Sequence, residues 1–142
     1  DYLAGWQRAK ADFINARKEE EERRKEFLKF CEKDLLLELL ALADSFDSLF
    51  SHQESFGKID KNWQGGIENL HAQLMNIFKN RGVEVIESEG KKFNPEEHES
   101  AGEIRVDNKE KENIIIEILR KGYKMHNKIL RPAQVKIGKY YE

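Results

Sequence analysis

Residues 17–26 read Arg-Lys-Glu-Glu-Glu-Glu-Arg-Arg-Lys-Glu, ten charged side chains in succession. The order is helical. Glu19 with Arg23, Glu20 with Arg24 and Glu21 with Lys25 each set an acid four residues before a base. Such pairs contribute only ~0.2–0.5 kcal/mol apiece, but several together support an exposed helix. Apolar residues flank the run on both sides. Tyr2, Trp6, Ala9, Phe13 and Ala16 precede it, and Phe27, Phe30 and Leu37 follow, with Glu20, Arg23 and Asp34 at the intervening steps. The spacing alternates four and three, the heptad seam of paired helices. Nothing interrupts the pattern before about Phe50, so the helix is expected to reach ~75 Å at ~1.5 Å per residue. A stripe that long cannot be covered by the rest of so short a chain. A second copy is the simplest partner.

From Leu35 to Phe50 the chain becomes apolar on both sides of the helix, as in a bundle. Residues 51–62 are polar and contain Gly57, which predicts a connecting loop. A second helix is expected to carry Trp63, Ile67, Leu70, Leu74 and Ile77 or Phe78 on one stripe. Gly82 should close it with a left-handed cap after Lys79 and Arg81. Two helices per chain, doubled, make a four-helix bundle.

After Gly82 the character changes to short β-branched runs between turn residues. Expected strands are Val83–Ile86, Gly102–Val106, Ile114–Leu119, Tyr123–Met125, Lys128–Leu130 and Gln134–Tyr140, with a charged turn over Asp107–Asn113. His126-Asn127 is the expected two-residue hairpin loop, because Asn tolerates positive φ. The fold class is therefore α+β. Residues 1–82 supply a long coiled-coil-like helix and a dimeric bundle, and residues 83–142 a small all-β domain.

Composition narrows the function. The chain has 142 residues, of which 37% are charged and 39% hydrophobic, with a mean hydropathy of −0.79. That is too polar for one globular ball of this length and is expected of an elongated form. The net charge of −2 comes from interleaved acids and bases, so no strong field draws nucleic acid. No apolar run approaches the ~20 residues of a membrane span. One cysteine, Cys31, allows no internal disulfide and no cysteine-based zinc site, and the cytosol is the default setting. The chain opens at Asp1, as a piece of a longer protein does.

No catalytic constellation is visible. His52, His71, His98 and His126 lack metal-ligand spacing, Gly65-Gly66 is not followed by Lys-Ser/Thr, and Glu96, Glu97 and Glu99 read as a solvated face. Neither an enzyme, a cofactor nor a small-molecule substrate is expected. Gly66 stands out, because a glycine costs a helix ~1 kcal/mol and invites close approach by another backbone. Its plain alternative is fraying near a helix end.

Several stretches together resemble the GrpE family, nucleotide exchange factors of DnaK-type chaperones. They are residues 8–17 (Arg-Ala-Lys-Ala-Asp-Phe-Ile-Asn-Ala-Arg), residues 38–45 (Glu-Leu-Leu-Ala-Leu-Ala-Asp-Ser), Gly66-Ile67-Glu68, and Gly82-Val83-Glu84-Val85-Ile86. Residues 90–99 (Gly-Lys-Lys-Phe-Asn-Pro-Glu-Glu-His-Glu), Lys121-Gly122-Tyr123, and residues 130–135 (Leu-Arg-Pro-Ala-Gln-Val) complete the series in order. Asn94 stands where the family usually has Asp, and Ala41 where it often has the helix-kinking Pro. The resemblance implies a homodimer whose β domain and adjoining helix hold the ATPase domain of a DnaK-type chaperone and open its nucleotide cleft. Partner-binding positions carried over are Arg17, Lys18, Gly66, Leu119, Lys128 and Ile137, with Met125 and Val135 as secondary neighbours. Leu119 and Ile137 read equally well as β-domain core. The expected dimer interface comprises Trp6, Phe13, Phe27, Phe30, Leu37, Leu40, Ile67, Leu70 and Leu74. The main alternative is a coiled-coil scaffold or adaptor binding another protein through its β domain. A nucleic-acid-binding dimer and a small enzyme are weaker alternatives.

Overall fold

A computed structural model of the chain describes residues 1–142. Helix α1 runs unbroken from Tyr2 to Ser51, so the helical reading of the charged run holds along its whole length. Ala41 leaves it uninterrupted, as a helix-compatible residue should. By packing, the chain divides at Leu36/Leu37. Residues 1–36 are helix alone, and residues 37–142 hold the end of α1 with every other element.

Where a loop was expected over 51–62, a short helix α2 spans Gln53–Gly57. Phe56 makes the difference: its ring meets Phe50 edge-on at 5.3 Å, and Phe50 in turn contacts His71 at 5.1 Å. A polar-looking segment is thus anchored by one aromatic. Helix α3, Lys61–Asn80, begins with Asp60 as its N-cap, whose side chain accepts from the Asn62 N–H. The Gln64 amide donates to the Phe56 and Ile59 carbonyls, fixing the turn. At the far end Gly82 takes φ +78°, the predicted left-handed cap. A side chain there would meet the His126 ring at 2.5 Å.

Six strands follow: β1 Val83–Val85, β2 His98–Val106, β3 Ile115–Arg120, β4 Tyr123–Met125, β5 Lys128–Arg131 and β6 Ala133–Tyr140. They form two three-stranded sheets ordered β1-β4-β5 and β2-β6-β3. The first is antiparallel throughout. In the second, β6 lies between a parallel β2 and an antiparallel β3. His126 and Asn127 both take positive φ, 49° and 66°, between the paired Met125 and Lys128. That is the tight hairpin expected from their sequence. Strand β2 starts four residues earlier than its alternation predicts. Its register shifts between Ser100 and Gly102, and a bulge erases the period-two signal there. Instead of a plain turn, the charged segment holds a 3₁₀ turn at Lys109–Lys111, capped by the Asn108 side chain.

Ile115, Ala133 and Val135 form the centre of the second sheet's core, with Phe93, Ile118 and Ile137 packed against them. Leu40 and Ala43 of α1 and Leu74 and Phe78 of α3 are buried within the same chain. Leu40 and Leu74 therefore leave little surface for a second copy, which corrects their place in the expected dimer interface. Leu37 and Ile67 are half-buried. By contrast Trp6, Phe13, Phe27 and Phe30 are each more than half exposed on α1, and Leu70 is exposed on α3. Trp63, Leu70 and Ile77, exposed at successive seven-residue steps, make an apolar stripe on α3 alongside the buried Leu74 and Phe78.

Candidate partner-binding surface

The carried-over positions fall on several elements. Arg17 and Lys18 are exposed on α1. Gly66 is exposed on α3, and a side chain built there meets nothing within 4 Å. The close backbone approach suspected at this glycine does not occur within the chain. Lys128 is exposed at the start of β5.

Leu119 and Ile137 separate cleanly. Register pairs Ile115 with Ile137 and Ile118 with Val135, so these four share the core face of the β2-β6-β3 sheet. Leu119 follows Ile118 and turns to the other face, where it is 48% exposed. Register and burial together thus make Leu119 a surface residue and Ile137 a half-buried one. Val135 is fully buried and belongs to the core, a correction to its reading as a neighbour of the partner. Leu119 lines an open cleft of about 830 Å³ between β3 and the last turns of α1, walled by Asp44, Asp47 and Ser48 on one side and Ile116 to Lys121 on the other.

A cluster built around Arg131, Asp44, Lys121, Asp47 and Tyr123 fastens the β domain to the helices. The Arg131 guanidinium donates from Nη1 to Asp44 Oδ2 at 2.7 Å, from Nη2 to Asp44 Oδ1 at 2.5 Å, and from Nε to the Lys121 carbonyl at 2.9 Å. Its plane sits 5.3 Å from the Tyr123 ring centroid. Lys121 itself pairs with Asp47 at 3.3 Å, one helical turn beyond Asp44. Tyr123 is buried beside Phe78 of α3, with ring centroids 6.2 Å apart. Burial first, and then the nearby Asp47 carboxylate, push its phenol up to about 12, so it stays neutral. Gly122 is required between them: any side chain there would run into the backbone of Ala133. The clue in the sequence was the pair of acids Asp44 and Asp47 in the second half of a largely apolar helical stretch.

A second buried polar cluster shapes the segment before β2. The Asn94 backbone N–H donates to His98 Nδ1 at 2.9 Å, so the ring's hydrogen sits on Nε2 and is given to Ser88 Oγ at 3.0 Å. Ser88 passes its own hydrogen to the Ile86 carbonyl at 3.2 Å. Asn94 Oδ1 accepts from the Glu96 N–H, so the turn survives the absence of Asp. Burial holds the imidazole below its ordinary value; Glu97 opposes this and Lys91 reinforces it. The unfolded chain therefore takes up a proton first as pH falls. The stabilisation is complete above the unfolded value of about 6.5 and is lost as pH drops through the folded one. Urea midpoints should fall between pH 7.5 and pH 5.5, and the fall should be smaller in His98→Gln. That variant should also lose about 1–3 kcal/mol at pH 7.5 through unpaired buried groups. Equal pH dependence in both proteins would refute the assignment.

No group of three or more His, Cys, Asp or Glu is placed to hold a metal ion. No helix is long and apolar enough to cross a membrane. Cys31 is exposed on α1.

Comparison with known proteins agrees with this architecture. A sequence model of the GrpE family matches residues 1–139. Protein GrpE of Caldanaerobacter subterraneus is 31% identical over 139 residues, covering 98% of this chain and 66% of the relative. Protein GrpE of Methanosphaera stadtmanae is 35% identical, covering 94% and 73%. Protein GrpE of Carboxydothermus hydrogenoformans is 38% identical, covering 91% and 64%. The chain thus spans about two thirds of the length of these relatives. With the family model matched almost from end to end, and the long helix followed by a small two-sheet β domain, the chain belongs to the GrpE family.

Proposed function

We propose that the chain is a co-chaperone: an adenine-nucleotide exchange factor that works in the cytosol as a homodimer. It binds the ATPase domain of a DnaK-type chaperone and promotes release of ADP. The family match over residues 1–139 carries this reading. Exposed Arg17, Lys18, Gly66, Leu119 and Lys128 supply contact surface, and the half-buried Ile137 supports it from the core side. The exposed aromatics Trp6, Phe13, Phe27 and Phe30, together with Leu70, face the second copy.

Exchange needs no catalytic group. A protein that binds the open nucleotide cleft better than the closed one shifts that equilibrium by its differential affinity and no further. The coupling is reciprocal, so nucleotide rebinding ejects the factor by the same ratio. Timed release of labelled ADP from a DnaK-type ATPase domain should accelerate when the chain is added, with no hydrolysis by the chain itself. Identical release rates with and without it would overturn the proposal.

A further inference from the structure

We infer that Arg131 is a positioning residue: its fork onto Asp44 fixes the angle at which the β domain stands on the helices, and partner discrimination depends on that angle. The inference rests on the exchange-factor reading.

Within residues 37–142, the covalent link between helix and strands is short: α3 ends at Asn80 and β1 begins at Val83. Gly82, in the left-handed region, makes the turn between them. Orientation must then come from side chains. Two side chains reach both parts with directional bonds: Lys121 with a single bond to Asp47, and Arg131 with a bidentate fork onto Asp44. Two parallel bonds to a carboxylate fix a plane as well as a distance. The third bond, to the Lys121 carbonyl, ties the same group to the β3–β4 connection. Tyr123 under the guanidinium leaves it no second rotamer without losing the ring contact. The Arg131 side chain is only 11% exposed and that of Asp44 30%, so water screens the pair weakly. A lysine at 131 would keep the charge but not the fork.

Candidate partner contacts lie on both sides of this joint: Gly66 on α3, and Leu119 and Lys128 on the β domain. A partner that touches both reads their offset. With the offset fixed, the pair fits one cleft width better than another. A swinging β domain fits both widths and loses discrimination while keeping contacts.

The test uses Asp44→Asn and Arg131→Lys in the full chain. Spin labels at Asn69→Cys and Glu99→Cys, in a Cys31→Ser background diluted with unlabelled chain, report the distance from α3 to β2. One narrow distance is expected for the parent and a broadened or shifted one for each variant. Maximal acceleration of ADP release should fall roughly tenfold, inside the about 5–150-fold span of allosteric couplings. The half-saturating concentration should move less than about threefold, a split that simple loss of folded protein does not produce. Circular dichroism melts confirm that both variants are folded at the assay temperature. Unchanged distances overturn the inference, and so do changed distances with unchanged maximal release. If the parent protein fails to accelerate ADP release, the exchange reading falls, and the distances alone decide whether Arg131 sets the angle.

Discussion

Phe78→Ala should cost about 3–5 kcal/mol of unfolding free energy, the usual range for emptying a buried aromatic site. Phe78 is 2% exposed, in the last turn of α3, against the equally buried Tyr123. It is the apolar part of the attachment whose polar part is Arg131 with Asp44. Its removal leaves a void between helix and sheet beside the buried Tyr123. The cavity should stay open, which places the loss toward the upper end of the range. Urea unfolding followed by circular dichroism measures it. A loss below about 1 kcal/mol would mean that the helix–sheet joint is not held by this ring.

The second large effect concerns self-association. Sedimentation at micromolar concentration should give twice the 16.7 kDa chain mass. Phe27→Glu with Leu70→Glu should return it to a single chain. Both residues are about 60% exposed in the isolated chain, at 64% and 58%. Truncating an aromatic anchor at an interface costs about 2 kcal/mol or more, roughly thirtyfold in Kd, and a carboxylate in its place adds desolvation. The two sites lie in different packing units, so their effects should add. Leu40→Ala, buried inside the chain, should lower stability instead and leave the folded form's association unchanged. A parent protein that sediments as one chain would remove the dimer from the proposed function.

Much of this was legible from residue order because it is local. The heptad stripe from Tyr2 to Leu37, the left-handed glycine at 82 and the Asn127 hairpin are short-range patterns with short-range causes. The strand segments after Gly82 were also visible, apart from the start of β2, which the bulge at Gly102 disguised. Helix α2 was missed because its one anchoring residue, Phe56, acts through Phe50, not through a period of its own. Leu119 and Ile137 could not be separated until register showed which face each occupies. The Arg131–Asp44 fork joins residues 87 positions apart. No periodicity encodes such a pair; only the fold brings the two charges to one point. The same holds for Ser88 and His98, whose hydrogen bond depends on the turn at Asn94.

Strand β6 is the middle member of its sheet and also the last strand in the chain. During synthesis, β2 and β3 are made first and have nothing to pair with until Tyr140 has left the ribosome. The helices can form early, while half of the β domain waits for β6. Every nascent chain therefore passes through a stage with two unpaired strand edges, and any loss within β6 strips both neighbours of their common support.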